Sequence, residues 1–294
     1  MSLLKNLLTG LVLLSMATTG SAADHGSVSR TEAFEPLNSS ASAVKPLTPV
    51  ELPTVDFAEP AEPQLPWIGI IIDDLGYQQR DRLAVLLPGP VACSFLPHTP
   101  YAVELAQLAA RQNKEVMLHQ PMESTSGKKL GPGALTLAMD EAAFRTTLNS
   151  NLASLPHVSG VNNHMGSLLT SHYQPMSWLM AELSRHDSLF FIDSRTTRQT
   201  VALNTAIDHQ LPSSLRDVFL DNQPEAEQVR AQFQLLIEKA RQQGTAIAIG
   251  HPYPATIAML EAELPGLAAK GISLRPVEQI IDRRNQQLQT AWHQ

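Results

Sequence analysis

The chain has 294 residues, 21 basic and 28 acidic side chains, a net charge of −7, 43% hydrophobic residues and a single cysteine. This length exceeds one small domain and suits a larger α/β domain with appendages. The acidic balance, with no basic tract, argues against nucleic acid or an anionic membrane surface as partner, and one cysteine excludes an intramolecular disulfide.

Residues 1–23, MSLLKNLLTGLVLLSMATTGSAA, combine one lysine, a short apolar core and a small-residue end. That is the layout of a secretory signal peptide, so the expectation is a periplasmic or secreted protein with no membrane span in the mature chain. An uncleaved anchor is the alternative. Residues 24–65 are rich in Pro, Ser, Ala and Glu with little periodicity, and are expected to be a disordered linker.

From Pro66 onward, short apolar runs alternate with helical patterns, which points to βα units and a mostly parallel sheet. Strands are expected over 67–73, 91–98, 115–119, 160–164, 189–193, 217–221, 246–251 and 272–275. Helices are expected over 101–112, 141–155, 175–186, 225–243 and 256–270. The first strand, WIGIIIDD, is isoleucine-rich in the manner of a strand buried on both faces. Cys93 falls within the second and is expected to be a buried structural thiol. Such an alternation fits a distorted (β/α) barrel of seven or eight parallel strands over residues 66–283, followed by a tail over 284–294. A doubly wound open sheet is the competing arrangement.

Seven successive strands end in Asp or His, within IIIDDLGY, SFLPHTP, VMLHQPME, VNNHMGS, FFIDSRT, VFLDN and IAIGHPYP. The carboxyl edge of a parallel α/β sheet is where such folds assemble an active site. His98, beside Pro100, is expected as a turn residue before a ligand. His119, His164 and His251 converge with Asp73 and Asp74 on one expected rim. Imidazoles and a carboxylate from separate strands suit Zn²⁺ or a similar divalent ion, which lets water be deprotonated near neutral pH. An adjacent carboxylate then supplies a base and a further histidine an acid.

These motifs in this order, with LPHTPY, GPGALT and FFIDSRTT between them, resemble the divergent polysaccharide deacetylase family, relatives of the NodB-homology carbohydrate esterases, from about Trp67 to Arg283. The resemblance implies a glycoside hydrolase/deacetylase-type barrel that removes N-acetyl groups from a cell-envelope carbohydrate such as peptidoglycan. It also implies Asp73 as base, Asp74 as metal ligand and His251 as acid. The second motif of the wider superfamily pairs histidines four residues apart; here His119 is followed at that spacing by Glu123. The Arg-Pro-Tyr motif is replaced by NNHMGS, so His164 is expected to supply the missing ligand, completing Asp74, His119 and His164 around a divalent ion such as zinc. These departures leave two alternatives: a catalytically idle, metal-containing carbohydrate-binding protein, or a glycosidase using Asp193 or Asp221 as nucleophile. Asn162 and Asn163 are expected to orient His164, bind a sugar hydroxyl or form a turn. Arg195 is expected to pair with Asp73, bind an acyl oxygen or sit in a surface ion pair. GPGALT is expected as a tight loop over the site, and Tyr101 and Tyr253 as groove residues.

Overall fold

The computed structural model describes residues 65–186 and 188–292. The expected signal peptide and, apart from Leu65, the expected linker lie outside the described residues. The strands are β1 (Trp67–Leu75), β2 (Ala92–Phe95), β3 (Val116–Met122), β4 (Val158–Met165), β5 (Phe190–Asp193), β6 (Ser213–Leu215), β7 (Val218–Phe219), β8 (Thr245–Gly250) and β9 (Ser273–Leu274). The helices are α1 (Arg82–Val85), α2 (Ala102–Arg111), α3 (Glu141–Ala153), α4 (Tyr173–Leu183), α5 (Ala202–Asp208), α6 (Ala226–Gln243), α7 (Pro254–Glu263) and α8 (Val277–Trp292). None is long and apolar enough to cross a membrane.

Hydrogen bonding runs in the order β6-β5-β4-β3-β2-β1-β8-β7, with β9 paired to the start of β1. All these pairs are parallel. Only Arg216 and Asp217 separate β6 from β7. The Arg216 N–H donates to the Asp193 carbonyl on one side, and the Asp217 N–H donates to the Ile247 carbonyl on the other. One bent segment therefore joins both ends of the sheet, giving the expected distorted barrel rather than an open doubly wound sheet.

Strand alternation sorts the side chains into two layers. Ile68, Ile70 and Ile72 of β1 join the outer core beneath the helices. Ile71 faces inward with Ala92, Met117, Phe190, Ile192, Ile247 and Ile249, and Val277, Ile280 and Ile281 of α8 close this inner core. A fully buried side chain of this kind contributes about 1.5–3 kcal/mol. Gly160 makes room for Phe190, since an added Cβ would lie 2.4 Å from its ring. Gly160→Ala is expected to cost about 1–3 kcal/mol through overpacking, read as a lower denaturant midpoint at unchanged slope.

The expected boundary at residue 283 falls inside α8, so residues 284–292 are helix rather than tail. Arg284 anchors that helix by donating to Asp217 (2.6 Å), Ser214 (2.7 Å) and Thr245 (2.9 Å). Glu115 caps its start, accepting the N–H groups of Val277 and Glu278 at 2.7 and 2.8 Å. Burial nevertheless pushes the Glu115 carboxyl up to about 7 against those hydrogen bonds. With an apolar end packed by α8, the polar inward positions collect at the opposite, C-terminal end of the strands.

Candidate active site

Asp73 follows Ile71 on the inward face of β1 and is 3% exposed. Alternation alone would send Asp74 outward. A break in register between Ile72 and Leu75 and a φ of 60° at Asp74 bring its carboxylate to the same rim. Aspartate is among the few residues that tolerate this left-handed conformation. Gly76 completes the turn at φ 113°, where a Cβ would lie 2.2 Å from Thr99 Oγ1.

His119 lies two residues beyond Met117 on the inward face of β3, and His164 two beyond Asn162 on β4. Asp74 Oδ1 is 2.9 Å from His164 Nδ1 and 3.2 Å from His119 Nε2, and the two ring nitrogens are 3.2 Å apart. All three ligand atoms fall within 4.8 Å of one another. The set expected from the sequence as metal ligands is thus brought together from three strands.

Asn162 organises the floor of this cluster. Its Nδ2 donates to both oxygens of Asp73 at 2.8 and 3.1 Å, so its Oδ1 is the acceptor of Ser94 Oγ (2.7 Å) and of His119 Nδ1 (2.9 Å). The His119 proton is thereby held on Nδ1, and the Nε2 lone pair faces Asp74 and His164. Asp74 Oδ1 is buried and makes no hydrogen bond of acceptable geometry despite its close neighbours. Two imidazole nitrogens and an orphaned carboxylate oxygen are a donor set for zinc or a similar ion. The residues present fit a divalent cation. Asn162→Ala is expected to weaken metal binding by about 10- to 100-fold, measured by competition with a chromogenic chelator.

The two adjacent carboxylates are pushed in opposite directions. Burial raises Asp74, but the close approach and charge of the His119 and His164 imidazoles more than reverse this and hold its carboxyl well below the usual carboxylate range. For Asp73 burial prevails over His119, His251 and Asn162 and lifts the carboxyl above that range. One is suited to remain an anion and the other to take a proton. In His119, burial is outweighed by Asp73 and Asp74, and its pKa rises.

His251 follows β8 and faces the cluster, with Nε2 3.7 Å from Asp74 Oδ2. Its Nδ1 lies 2.9 Å from Asp221 Oδ1, and its backbone N–H donates to Asp221 Oδ2 at 2.7 Å. Burial depresses the imidazole, but the hydrogen bond to Asp221 and the charges of Asp74, Asp221 and Asp73 raise it to about 9. The ring is accordingly protonated at neutral pH. Asp74, His164 and His251 line a cavity of about 310 Å³ with Tyr77, Tyr253 and residues 129–131 of the loop that leads into GPGALT. That loop is pinned where Gln120 Nε2 and Asn151 Nδ2 donate to the Gly133 carbonyl.

Several expected site residues do other work. His98 is an exposed turn residue at φ 58°, 2.9 Å from Asn151 Oδ1 and apart from the ligand cluster. Glu123 accepts the Leu137 N–H at 2.7 Å and clips the neighbouring loop. Asn163 accepts the Ser194 N–H and donates to the Met165 carbonyl, so it ties strand ends together while Asn162 orients His119. Asp193 follows inward Ile192, falls on the outer face and accepts from Arg195 N–H and Thr200 Oγ1. Asp221 accepts from the His251 backbone N–H and Thr256 Oγ1 and holds the imidazole. Neither aspartate presents an oxygen to the cavity as a glycosidase nucleophile would. Arg195 is exposed and forms no ion pair with Asp73; the cationic groups whose charge acts on Asp73 are His119 and His251. Tyr101 packs against the outer core, and Tyr253 lines the cavity. Cys93 is buried, its thiol pushed up to about 12 by burial, and is inert. Ser94 and Arg216 had no cue in the sequence beyond lying in or near strands.

Fold and site together define a parallel α/β barrel with a candidate metal centre at the C-terminal rim. The family model for divergent polysaccharide deacetylase matches residues 70–281, and the chain belongs to that family. It is 38% identical over 201 residues to an uncharacterized protein of Haemophilus influenzae, covering 68% of this chain and 71% of that one. It is 36% identical over 195 residues to the uncharacterized protein YibQ of Escherichia coli (strain K12), covering 66% of this chain and 61% of that one. A crystal structure of an uncharacterized protein from Agrobacterium tumefaciens C58 has the same fold, with a TM-score of 0.71 and 21% identity, covering 75% of this chain and 91% of that one.

Proposed function

We propose that the protein is an exported, metal-dependent hydrolase that removes N-acetyl groups from a cell-envelope carbohydrate. The observation that carries this reading is the division of labour at the rim. Asp74, His119 and His164 offer one lone pair each to a common point, while Asp73, a carboxyl raised towards taking a proton, and His251, an imidazole raised to about 9 that carries one, flank it. A divalent ion such as zinc held by those three residues would supply Lewis-acid polarisation of the acetyl carbonyl.

Asp73, held by Asn162, takes a proton from the attacking water as its oxygen bonds to the acetyl carbon. His251, held by Asp221, gives its Nε2 proton to the sugar nitrogen as the carbon–nitrogen bond breaks. Acetic acid and a free amine leave, the acid's proton passing to the amine to give acetate and ammonium, and the proton gained by Asp73 balances that lost by His251. The 310 Å³ cavity, with half-exposed Tyr77 and Tyr253 at its mouth, has room and apolar faces for a pyranose ring. The second histidine of the usual motif is absent, but His164 supplies the third ligand position, which favours an active enzyme over an idle binding protein.

The test is acetate release from N-acetylglucosamine oligomers and peptidoglycan fragments, with zinc and after chelation. Metal-dependent acetate is expected; glycan binding without acetate at full metal loading would support the idle reading instead. Export is tested by fractionating cells that make the full chain, with the protein expected in the periplasm or medium.

A further inference from the structure

A second, larger cavity of about 680 Å³ lies between the loop after β5, the bent β6–β7 segment and helix α6. It adjoins the site just described through Phe219, whose ring is 5.2 Å from that of His251 and lies under the Arg216 guanidinium at 4.9 Å. Two arginines, Arg195 and Arg216, line it. The arginine ion pairs among the described residues involve Arg145, Arg185 and Arg284, and neither of these two.

Arg216 is fixed in place by donating Nε to the Ser194 carbonyl at 2.8 Å and Nη2 to the Arg195 carbonyl at 3.2 Å. Its remaining guanidinium N–H groups have no partner among the described residues. Burial, and then the like charge of Arg195, press its pKa down, a strain that a bound anion relieves. Ser194 also lines the cavity, and its buried Oγ has no hydrogen-bond partner among the described residues, a state that native structures rarely leave uncompleted. Asp217 is the one carboxylate in the lining, and its charge is engaged by Arg284 at 2.6 Å. Val218, Phe219 and Leu235 are apolar, and Thr196, Asn222, Gln223, Gln228 and Gln232 offer neutral hydrogen-bonding groups. Amides suit sugar hydroxyls, and paired guanidinium groups suit a carboxylate.

We propose that this cavity is a subsite for a carboxylate-bearing sugar, so that the substrate is an acidic glycan in which an N-acetylated residue neighbours a uronic-acid-type residue. The assignment rests on the deacetylase reading for the register of the sugar in the first site, and on Arg195, Arg216 and Ser194 for the acidic neighbour. Phe219, between the cavities, offers a face to the linkage that joins the two residues.

The experiment is titration calorimetry on the zinc-loaded full chain with two tetrasaccharides of equal length. One is the neutral N-acetylglucosamine tetramer; the other alternates N-acetylglucosamine with glucuronic acid. The acidic tetramer is expected to bind about tenfold or more tightly, because hydrogen bonds to charged groups contribute more than neutral ones. That preference is expected to shrink with added salt and to fall about tenfold in Arg195→Gln and in Arg216→Gln. Arg195 is exposed and its guanidinium makes no hydrogen bond among the described residues, so Arg195→Gln leaves the fold intact if Arg216→Gln does not. Equal affinities for the two tetramers, or an unchanged preference in Arg195→Gln, overturn the subsite. Inorganic phosphate competing as strongly as free glucuronic acid overturns the carboxylate assignment. An acidic preference without acetate release from either tetramer leaves the subsite standing and sinks the deacetylase reading, so the two failures are separable.

Discussion

Asp74→Asn is expected to purify without its divalent ion and to lose acetate release by about a thousandfold or more, the several kcal/mol that Lewis-acid polarisation contributes. Asparagine is the informative replacement because it accepts the left-handed backbone at φ 60°, whereas alanine there adds strain of about 1–2 kcal/mol. His164→Ala is expected to behave in the same way, and His251→Ala to keep its metal, since His251 lies outside the ligand set. Elemental analysis of the three variants beside the parent is the measurement; equal metal in all of them would remove the candidate centre. Metal loading should also weaken as pH falls. His119 has its pKa raised by Asp73 and Asp74, so protons compete with the ion from a higher pH than at an ordinary imidazole.

The second large effect concerns the proton-transfer pair. Asp73→Asn is expected to lower kcat by about 10²- to 10⁴-fold with metal content unchanged, the usual contribution of a positioned base. The pH profile follows from the opposed shifts. Activity rises as pH passes the elevated pKa of Asp73 and falls at alkaline pH, where His251, raised by its hydrogen bond to Asp221, loses the proton it must donate. Asp221→Asn removes the hydrogen-bonded charge that raises His251, so the alkaline limb is expected to move down by about one to two pH units. An unmoved limb would show that His251 is not the acid. The same linkage acts on the metal-free fold: with a folded pKa raised to about 9, His251 stabilises fully below its unfolded value of about 6.5, and this is lost as pH rises through 9.

Much of the barrel could be anticipated because parallel strands buried on both faces leave uninterrupted apolar runs, as IIIDD and IAIGH do, and because the helices between them carry an apolar stripe. The elements that escaped notice are those whose reason lies elsewhere in the molecule. Ser213–Leu215 is three residues long and is a strand only because β5 lies beside it. Helix α8 carries two Arg, one Asn and four Gln, and its Val277, Ile280 and Ile281 acquire meaning only as part of the inner core.

The candidate site divides along the same line. Periodicity of two places Asp73, His119, His164 and His251 at one rim from local patterning, because inward positions on parallel strands converge. Chain order and residue type therefore anticipated which of these side chains meet at the rim. Everything that depends on direction needed three dimensions. The left-handed turn at Asp74, the Asn162 bridge that fixes the His119 proton, and the engagement of Asp221 with His251 each join residues from different strands or break the strand's own alternation. Asp193, His98 and Glu123 share the strand-end position of the true rim residues. Their side chains point to the outer layer, a turn and a loop, and a one-dimensional pattern holds no signal that separates such cases.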